Sequence, residues 1–183
     1  MEELLKHQQT PSCRHTTTVV ISDKPNVSGL NKAENLGVTA IVVPLPDISD
    51  KVERRLIHEQ EVSEVLADYG VEVIILSGYM RILTPFFVEQ WAGRILNIHP
   101  SLLPDFPGAH AHRDVIAAGV SMSGCTVHFV DSGMDTGPII MQKEVEVLPS
   151  DTEESLAERV KKQEHILYPI VIDMLSSGEI KSP

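Results

Sequence analysis

No stretch of this 183-residue chain approaches the ~20 consecutive apolar residues that a membrane-spanning helix needs. The opening Met1-Glu2-Glu3-Leu4-Leu5-Lys6 is acidic where a secretory leader is basic and then apolar. A cytosolic protein with no membrane partner is the expectation. Positive charge is also short: 26 acidic residues face 15 basic ones, a formal charge of −11. A phosphate backbone would be repelled by that balance, and the short runs Glu53-Arg54-Arg55 and Arg159 to Lys162 sit among acids. Nucleic acid is therefore excluded as a partner. Cysteine is scarce as well. Cys13 and Cys125 are too few and too far apart for a disulfide framework or a thiolate metal site, so both are expected reduced, with Cys125 inside a strand.

Several motifs are absent too. There is no Walker loop, no G-x-S-x-G elbow, no H-E-x-x-H, no internal repeat and no low-complexity segment. His110-Ala111-His112 has the look of a metal pair but no acidic or cysteine partner at ligand spacing. Its expected role is a helix start carrying two exposed histidines, and no metal is expected.

What is present is an alternation of short β-branched runs with amphipathic stretches. That pattern predicts an α/β fold, doubly wound on a mostly parallel sheet. Strands are expected at Thr17–Ile21, Ala40–Val43, Val71–Leu76, Ile95–Ile98, Thr126–Val130 and Ile139–Glu144. Asp50 and Glu53 form a capping-box pair ahead of an apolar face at Val52, Leu56, Ile57, Val62, Val65 and Leu66, and Gly70 ends that helix. Thr84-Pro85 supplies a cap and then a proline at the first helical position, with Gly93 closing the segment. A long last helix should start near Thr152 and stop by Gly178, kinked or broken at Pro169. The chain opens directly in a helix, Met1 to Gln9, whereas a doubly wound sheet normally begins with a strand and a glycine-rich turn.

Three clusters carry possible chemistry. Asn97-Ile98-His99-Pro100-Ser101-Leu102-Leu103-Pro104 follows an apolar strand, and alternation puts Asn97 and His99 on one side of it. Ligands collect outside the carboxyl ends of strands in open α/β sheets, and Pro100 and Pro104 stiffen the loop. A polar strand end with one hydrogen-bonded histidine is the plainer alternative. Asp131-Ser132-Gly133-Met134-Asp135-Thr136-Gly137-Pro138 reads first as a surface turn, and His128 ahead of it as a structural strand histidine. Gly78-Tyr79-Met80-Arg81-Ile82-Leu83 follows another strand: Gly78 permits close approach, Met80, Ile82 and Leu83 can line an apolar slot, and Arg81 can form its charged lip.

Taken in order, Asn97-x-His99-x-Ser101-Leu102-Leu103-Pro104, Gly108, Gly124-Cys125-Thr126-Val127-His128-Phe129-Val130 and Asp131 to Ile140 resemble the folate-dependent formyltransferase family. Gly78 to Leu83 and Arg159 to His165 resemble its glycinamide ribonucleotide branch, and the likeness runs from about Thr17 to Gly178. The resemblance implies a single Rossmann-like formyltransferase domain over 1–183. It also implies transfer of a formyl group from 10-formyltetrahydrofolate, a co-substrate, to the amine of glycinamide ribonucleotide in de novo purine synthesis. Asn97, His99 and Asp135 would be catalytic, with Asn97 donating to the oxyanion, His99 sharing that role, and Asp135 tuning His99 and relaying the amine proton. The folate site would comprise Arg55, Met80, Arg81, Ile82, Leu83, Asn97, Asp131, Ser132, Gly133, Met134 and Asp135. Gly78, Pro100, Lys161, Lys162, Gln163 and Glu164 would face the nucleotide substrate. No metal is implied.

The resemblance departs at one end. The family's first strand and phosphate loop have no counterpart before Met1, so the domain is expected to begin inside its first helix. A fragment or mis-started gene, a truncated isoform, or a domain cut from a longer multifunctional purine-synthesis chain would each give this. The alternatives in function are a sister formyltetrahydrofolate hydrolase, formylation of another amine such as methionyl-tRNA, or a non-catalytic folate-binding remnant.

Overall fold

A computed structural model describes all residues, 1–183, and they fall into two units, Met1–Glu72 and Val73–Pro183. The first unit runs α1 (Glu2–His7), β1 (Val19–Ser22), α2 (Ser28–Asn35), β2 (Thr39–Val42) and α3 (Lys51–Asp68). Strands β1 and β2 pair in parallel, Val19 opposite Thr39 and Ser22 opposite Val42, with α2 as the crossover such pairing requires. Leu5, Ala33 and Val38 are buried together, with Met1, Val20, Leu36 and Ala40 packed around them. Helix α2 has no side-chain cap, so nothing in the sequence announces its start.

Helix α3 begins where its signal lies. The Asp50 carboxylate accepts from the amides of Val52 and Glu53, both at 2.8 Å. Its buried face differs from the apolar stripe expected from the sequence. Val52 and Leu56 are exposed, whereas His58, Glu59 and Leu66 are buried. His58 tolerates this because its Nε2 lies 2.9 Å from the Val43 carbonyl, so a polar ring goes inside with a partner.

The second unit runs β3 (Ile74–Ile75), α4 (Pro85–Gln90), β4 (Ile95–His99), α5 (Ala111–Ala118), β5 (Met122–Phe129), β6 (Ile139–Glu146) and α6 (Glu153–Ser176). Its sheet has the order β3-β4-β5-β6. The β3/β4 pair is parallel, as β1/β2 is, while β4/β5 and β5/β6 are antiparallel. A short connection between β5 and β6 allows only a hairpin return, so the antiparallel half joins the parallel part of this α/β fold. Thr84 caps α4 through the Phe87 amide, with Pro85 next, as the sequence predicts. The strand expected over Val71–Leu76 is shorter, although the Leu76 amide still donates to the Leu96 carbonyl at 2.9 Å.

Helix α6 starts at a capping box between Thr152 and Ser155 and packs on β5 and β6. It passes through Pro169 as one helix, so the expected break does not occur. Proline removes one backbone donor, but Leu167, Tyr168, Val171 and Ile172 on both sides of it are buried and hold the helix in place. Full burial of each such aliphatic side chain stabilises by roughly 1.5–3 kcal/mol, comparable to the cost of the proline. No helix is long and apolar enough to cross a membrane.

Candidate active site

The site is assembled by strand register within the second unit. Asn97 and His99 alternate onto one face of β4, and the antiparallel ladder sets Asn97 opposite His128 and His99 opposite Thr126. Just there β5 carries a register shift against β6, between Val127 and His128. Bulges of this kind re-aim side chains next to functional sites. Downstream, the 131–137 turn brings back Asp135. Its backbone is left-handed, φ 56°, a conformation aspartate tolerates better than most residues. Gly137 lets the turn close, since an added Cβ would collide with the Phe129 carbonyl oxygen.

Asp135 stands between the two imidazoles. Its Oδ2 lies 3.3 Å from His99 Nδ1 and accepts from the Gly108 amide at 2.8 Å, while Oδ1 is 3.7 Å from His128 Nε2. The His99 ring is pinned at its other end, where Nε2 donates to the Phe106 carbonyl at 2.9 Å. Phe106 itself is left-handed, φ 55°. Such a backbone costs a bulky residue about 1–3 kcal/mol and persists only where the surroundings hold it. Both nitrogens of His99 therefore face acceptors.

His128 is held differently. Its Nδ1 donates to the Phe129 carbonyl at 2.8 Å. Burial lowers its pKa from the ordinary value, so the ring stays neutral and Nε2 offers a lone pair. The atom of Asn97 facing it at 3.2 Å is accordingly the amide nitrogen, donating. One hydrogen of Asn97 Nδ2 is thereby committed and the other is left for a ligand. The sequence reading takes His128 as structural and misses this role. The signal lies in the cross-strand register, which is not visible along a single strand.

Asn97, His128 and Asp135 open into a cavity of about 90 Å³ lined also by Leu76, Arg81, Ile82, Leu83, Val130, Asp131, Gly133 and Met134, while His99 is buried behind Asp135 and does not line it. Most of the residues expected at a folate site meet here. Leu76 and Val130, which follow the last residues of β3 and β5, were not foreseen, although the strand-end rule points to them. Asp131 braces the turn by accepting from the Gly133 amide at 3.0 Å and the Thr136 hydroxyl at 2.8 Å. Met80 is 72% exposed and, like Ser132, does not line the cavity. Gly78 has φ 68° on the loop after β3, and Pro100 is half-buried just past β4. Lys161 and Lys162 are exposed and Gln163 and Glu164 half-buried on α6, none of them lining the cavity. Arg55 belongs to α3 of the first unit. Of the histidine pair expected to be exposed, only His110 is. His112 is half-buried, and burial lowers its pKa.

The arrangement offers a hydrogen-bond donor, an imidazole paired with a carboxylate, and an adjoining slot that is apolar with an arginine and an aspartate at hand. That is equipment for stabilising an oxyanion while moving a proton at an acyl group. The formyl transferase family matches residues 1–172. The chain is 38% identical to the phosphoribosylglycinamide formyltransferase of Escherichia coli, with 99% of this chain and 84% of that protein covered. It is 42% identical to the trifunctional purine biosynthetic protein adenosine-3 of Gallus gallus, over 99% of this chain but only 18% of that longer protein. The crystal structure of phosphoribosylglycinamide formyltransferase from Brucella melitensis superposes with a TM-score of 0.89 at 42% identity, covering 100% of this chain and 92% of the other. On its sequence, its fold and the residues around this cavity, the chain belongs to the formyl transferase family.

Proposed function

We propose that this chain transfers a formyl group from 10-formyltetrahydrofolate to the amine of glycinamide ribonucleotide, a step of purine synthesis. The observation that carries the reading is Asn97 and Asp135 together on the cavity wall, with buried His99 3.3 Å behind Asp135. The names of its relatives in Escherichia coli and Brucella melitensis support the choice of substrate.

In this reading the substrate amine attacks the formyl carbon, and the carbonyl oxygen becomes an oxyanion. The uncommitted hydrogen of Asn97 donates to it, and His99 shares that role from behind Asp135. Asp135 takes the proton from the attacking nitrogen. Collapse of the intermediate then breaks the bond between the formyl carbon and the folate nitrogen, which takes that proton back from Asp135 as it leaves. Ile82, Leu83 and Met134 pack against the flat folate heterocycle, with Arg81, Asp131 and Gly133 at its polar edge, Met80 and Ser132 at the rim, and Arg55 on the glutamate tail. Gly78, Pro100, Lys161, Lys162, Gln163 and Glu164 serve the nucleotide side. Residues 1–183 act together as one formyltransferase domain, and the share of the Gallus gallus protein that it matches supports a place within a longer multifunctional chain.

The test is a formyl-transfer assay on the purified chain with 10-formyltetrahydrofolate and glycinamide ribonucleotide. Formylated product, lost in Asp135→Ala, is the expected result. Release of formate with the amine unconsumed would replace the reading with a hydrolase, and folate binding without turnover would replace it with a binding remnant.

A further inference from the structure

We propose that Thr126 and Gln142 are positioning residues for His99, acting through the loop from Ser101 to Phe106. The inference rests on the formyl-transfer reading of the site. Thr126 is fully buried and does not line the cavity, so it does not touch a ligand there. It stands between the two strands it serves, opposite His99 in the β4/β5 ladder and opposite Gln142 in the β5/β6 ladder.

Its hydroxyl uses all of its bonding capacity on this loop and its brace. It donates to the Ser101 carbonyl at 2.7 Å and accepts from the Leu103 amide at 3.0 Å and from Gln142 Nε2 at 2.9 Å. A threonine hydroxyl has one hydrogen and two lone pairs, so none is left over. Gln142 spends its second amide hydrogen on the Leu103 carbonyl at 2.8 Å. The backbone of Ser101 and Leu103 is thus tied to β5 and β6 by side chains, where a loop has no ladder of its own. From there the Ser101 hydroxyl, donating to the Asp105 carbonyl at 2.6 Å, closes the turn that ends in the left-handed Phe106. The Phe106 carbonyl is what holds His99 Nε2, and so leaves Nδ1 aimed at Asp135.

The chain of causes runs from a buried hydroxyl to the bonding state of a ring. Valine at 126 has nearly the shape of threonine but would leave the Leu103 amide and the Ser101 carbonyl without their buried partner. The loop would then relax, the Phe106 carbonyl would drift, and the His99 ring would lose its anchor. Small misplacements of a reacting group are costly, so Thr126→Val should lower kcat by about 10- to 100-fold. KM for both substrates should stay within about twofold, since the residue makes no ligand contact. Thr126→Ser, which keeps the hydroxyl, should restore kcat. Gln142→Met leaves two of the three bonds to the Thr126 hydroxyl in place and should cost about 3- to 10-fold.

The deciding experiment joins steady-state kinetics with nitrogen-15 spectra of the His99 imidazole. In the wild type, His99 Nε2 should give a slowly exchanging, hydrogen-bonded N–H signal, and in Thr126→Val that signal should shift and exchange faster. Wild-type kcat and an unchanged His99 signal in Thr126→Val would overturn the proposal, as would failure of serine to restore activity. Should Thr126→Val not fold, Gln142→Met decides, because its side chain is on the surface; unchanged kcat with an unchanged ring signal there would sink the idea. Should the wild type transfer no formyl group, the functional reading falls, while the imidazole spectra still settle whether Thr126 positions the ring.

Discussion

Two loops leave neighbouring strand ends in the second unit, and they are built on opposite terms. The loop after β4, from Pro100 to Gly108, is tied down by buried hydrogen bonds: Ser101 and Leu103 are buried, and Thr126, Gln142 and Asp135 all bond its backbone. The loop after β3, from Ser77 to Leu83, instead presents apolar side chains, with Met80 72% and Ile82 51% exposed. The difference matches what the proposed function asks of each. A group that holds a proton works only within a few tenths of an ångström and a narrow range of angles. A surface that receives a flat heterocycle needs area and little direction. Chemistry and recognition meet at one cavity but draw on different forces.

The contrast can be broken or sharpened by substitution. The largest effect should come from the tied side. His99→Ala or Asp135→Ala should lower kcat by at least about 1,000-fold, with a lower melting temperature but a chain that still folds, checked by transfer assay and thermal unfolding. Asn97→Ala should lose about 100- to 1,000-fold in kcat, the usual loss for an oxyanion donor. On the recognition side, Ile82→Ala or Met134→Ala should raise KM for the folate by about 3- to 10-fold while kcat holds, as expected when apolar contact is removed. A loss of kcat at Ile82 as large as at Asn97 would erase the distinction between the loops.

Acid supplies a subtler test. Burial lowers the pKa of His128 in the folded chain, so below about 6.5, the ordinary value, the unfolded chain binds a proton that the folded chain refuses. Stability from this group is complete above that pH and is lost as pH falls toward the folded value. His112 acts in the same direction. Unfolding by urea at pH 7.5 and 5.5 should show weaker folding at the lower pH, and His128→Gln should reduce that difference. Equal slopes in both proteins would mean His128 is not the titrating group. The smallest effect concerns neither loop. Arg159 beside Asp151 holds that carboxyl well below the usual carboxylate range. Asp151→Asn should lower the melting temperature above pH 4 and leave kcat alone.

How far the sequence leads depends on the range of the interaction. Caps are local, and Asp50, Thr84 and Thr152 were each legible as helix starts because the bonds they make reach only two or three residues. Helix α2 was not legible, since Val27 provides no side-chain cap. The face of α3 was misjudged because His58 found the Val43 carbonyl, a partner 15 positions away. The site divides along the same line. Asn97 and His99 could be placed together by strand alternation alone. That His128 faces Asn97, and that Thr126 holds the loop carrying the His99 anchor, could not.

The sequence by itself therefore determined the order of the strands, the helices that carry caps, and the strand ends where candidate site residues stand. Those follow from periodicity, capping and motif, which act over a few residues. Only the tertiary structure decided which histidine is pinned between two acceptors and which stays neutral. That outcome depends on antiparallel register and burial, set where β4 pairs with β5 and brings together Asn97 and His128, 31 residues apart along the chain.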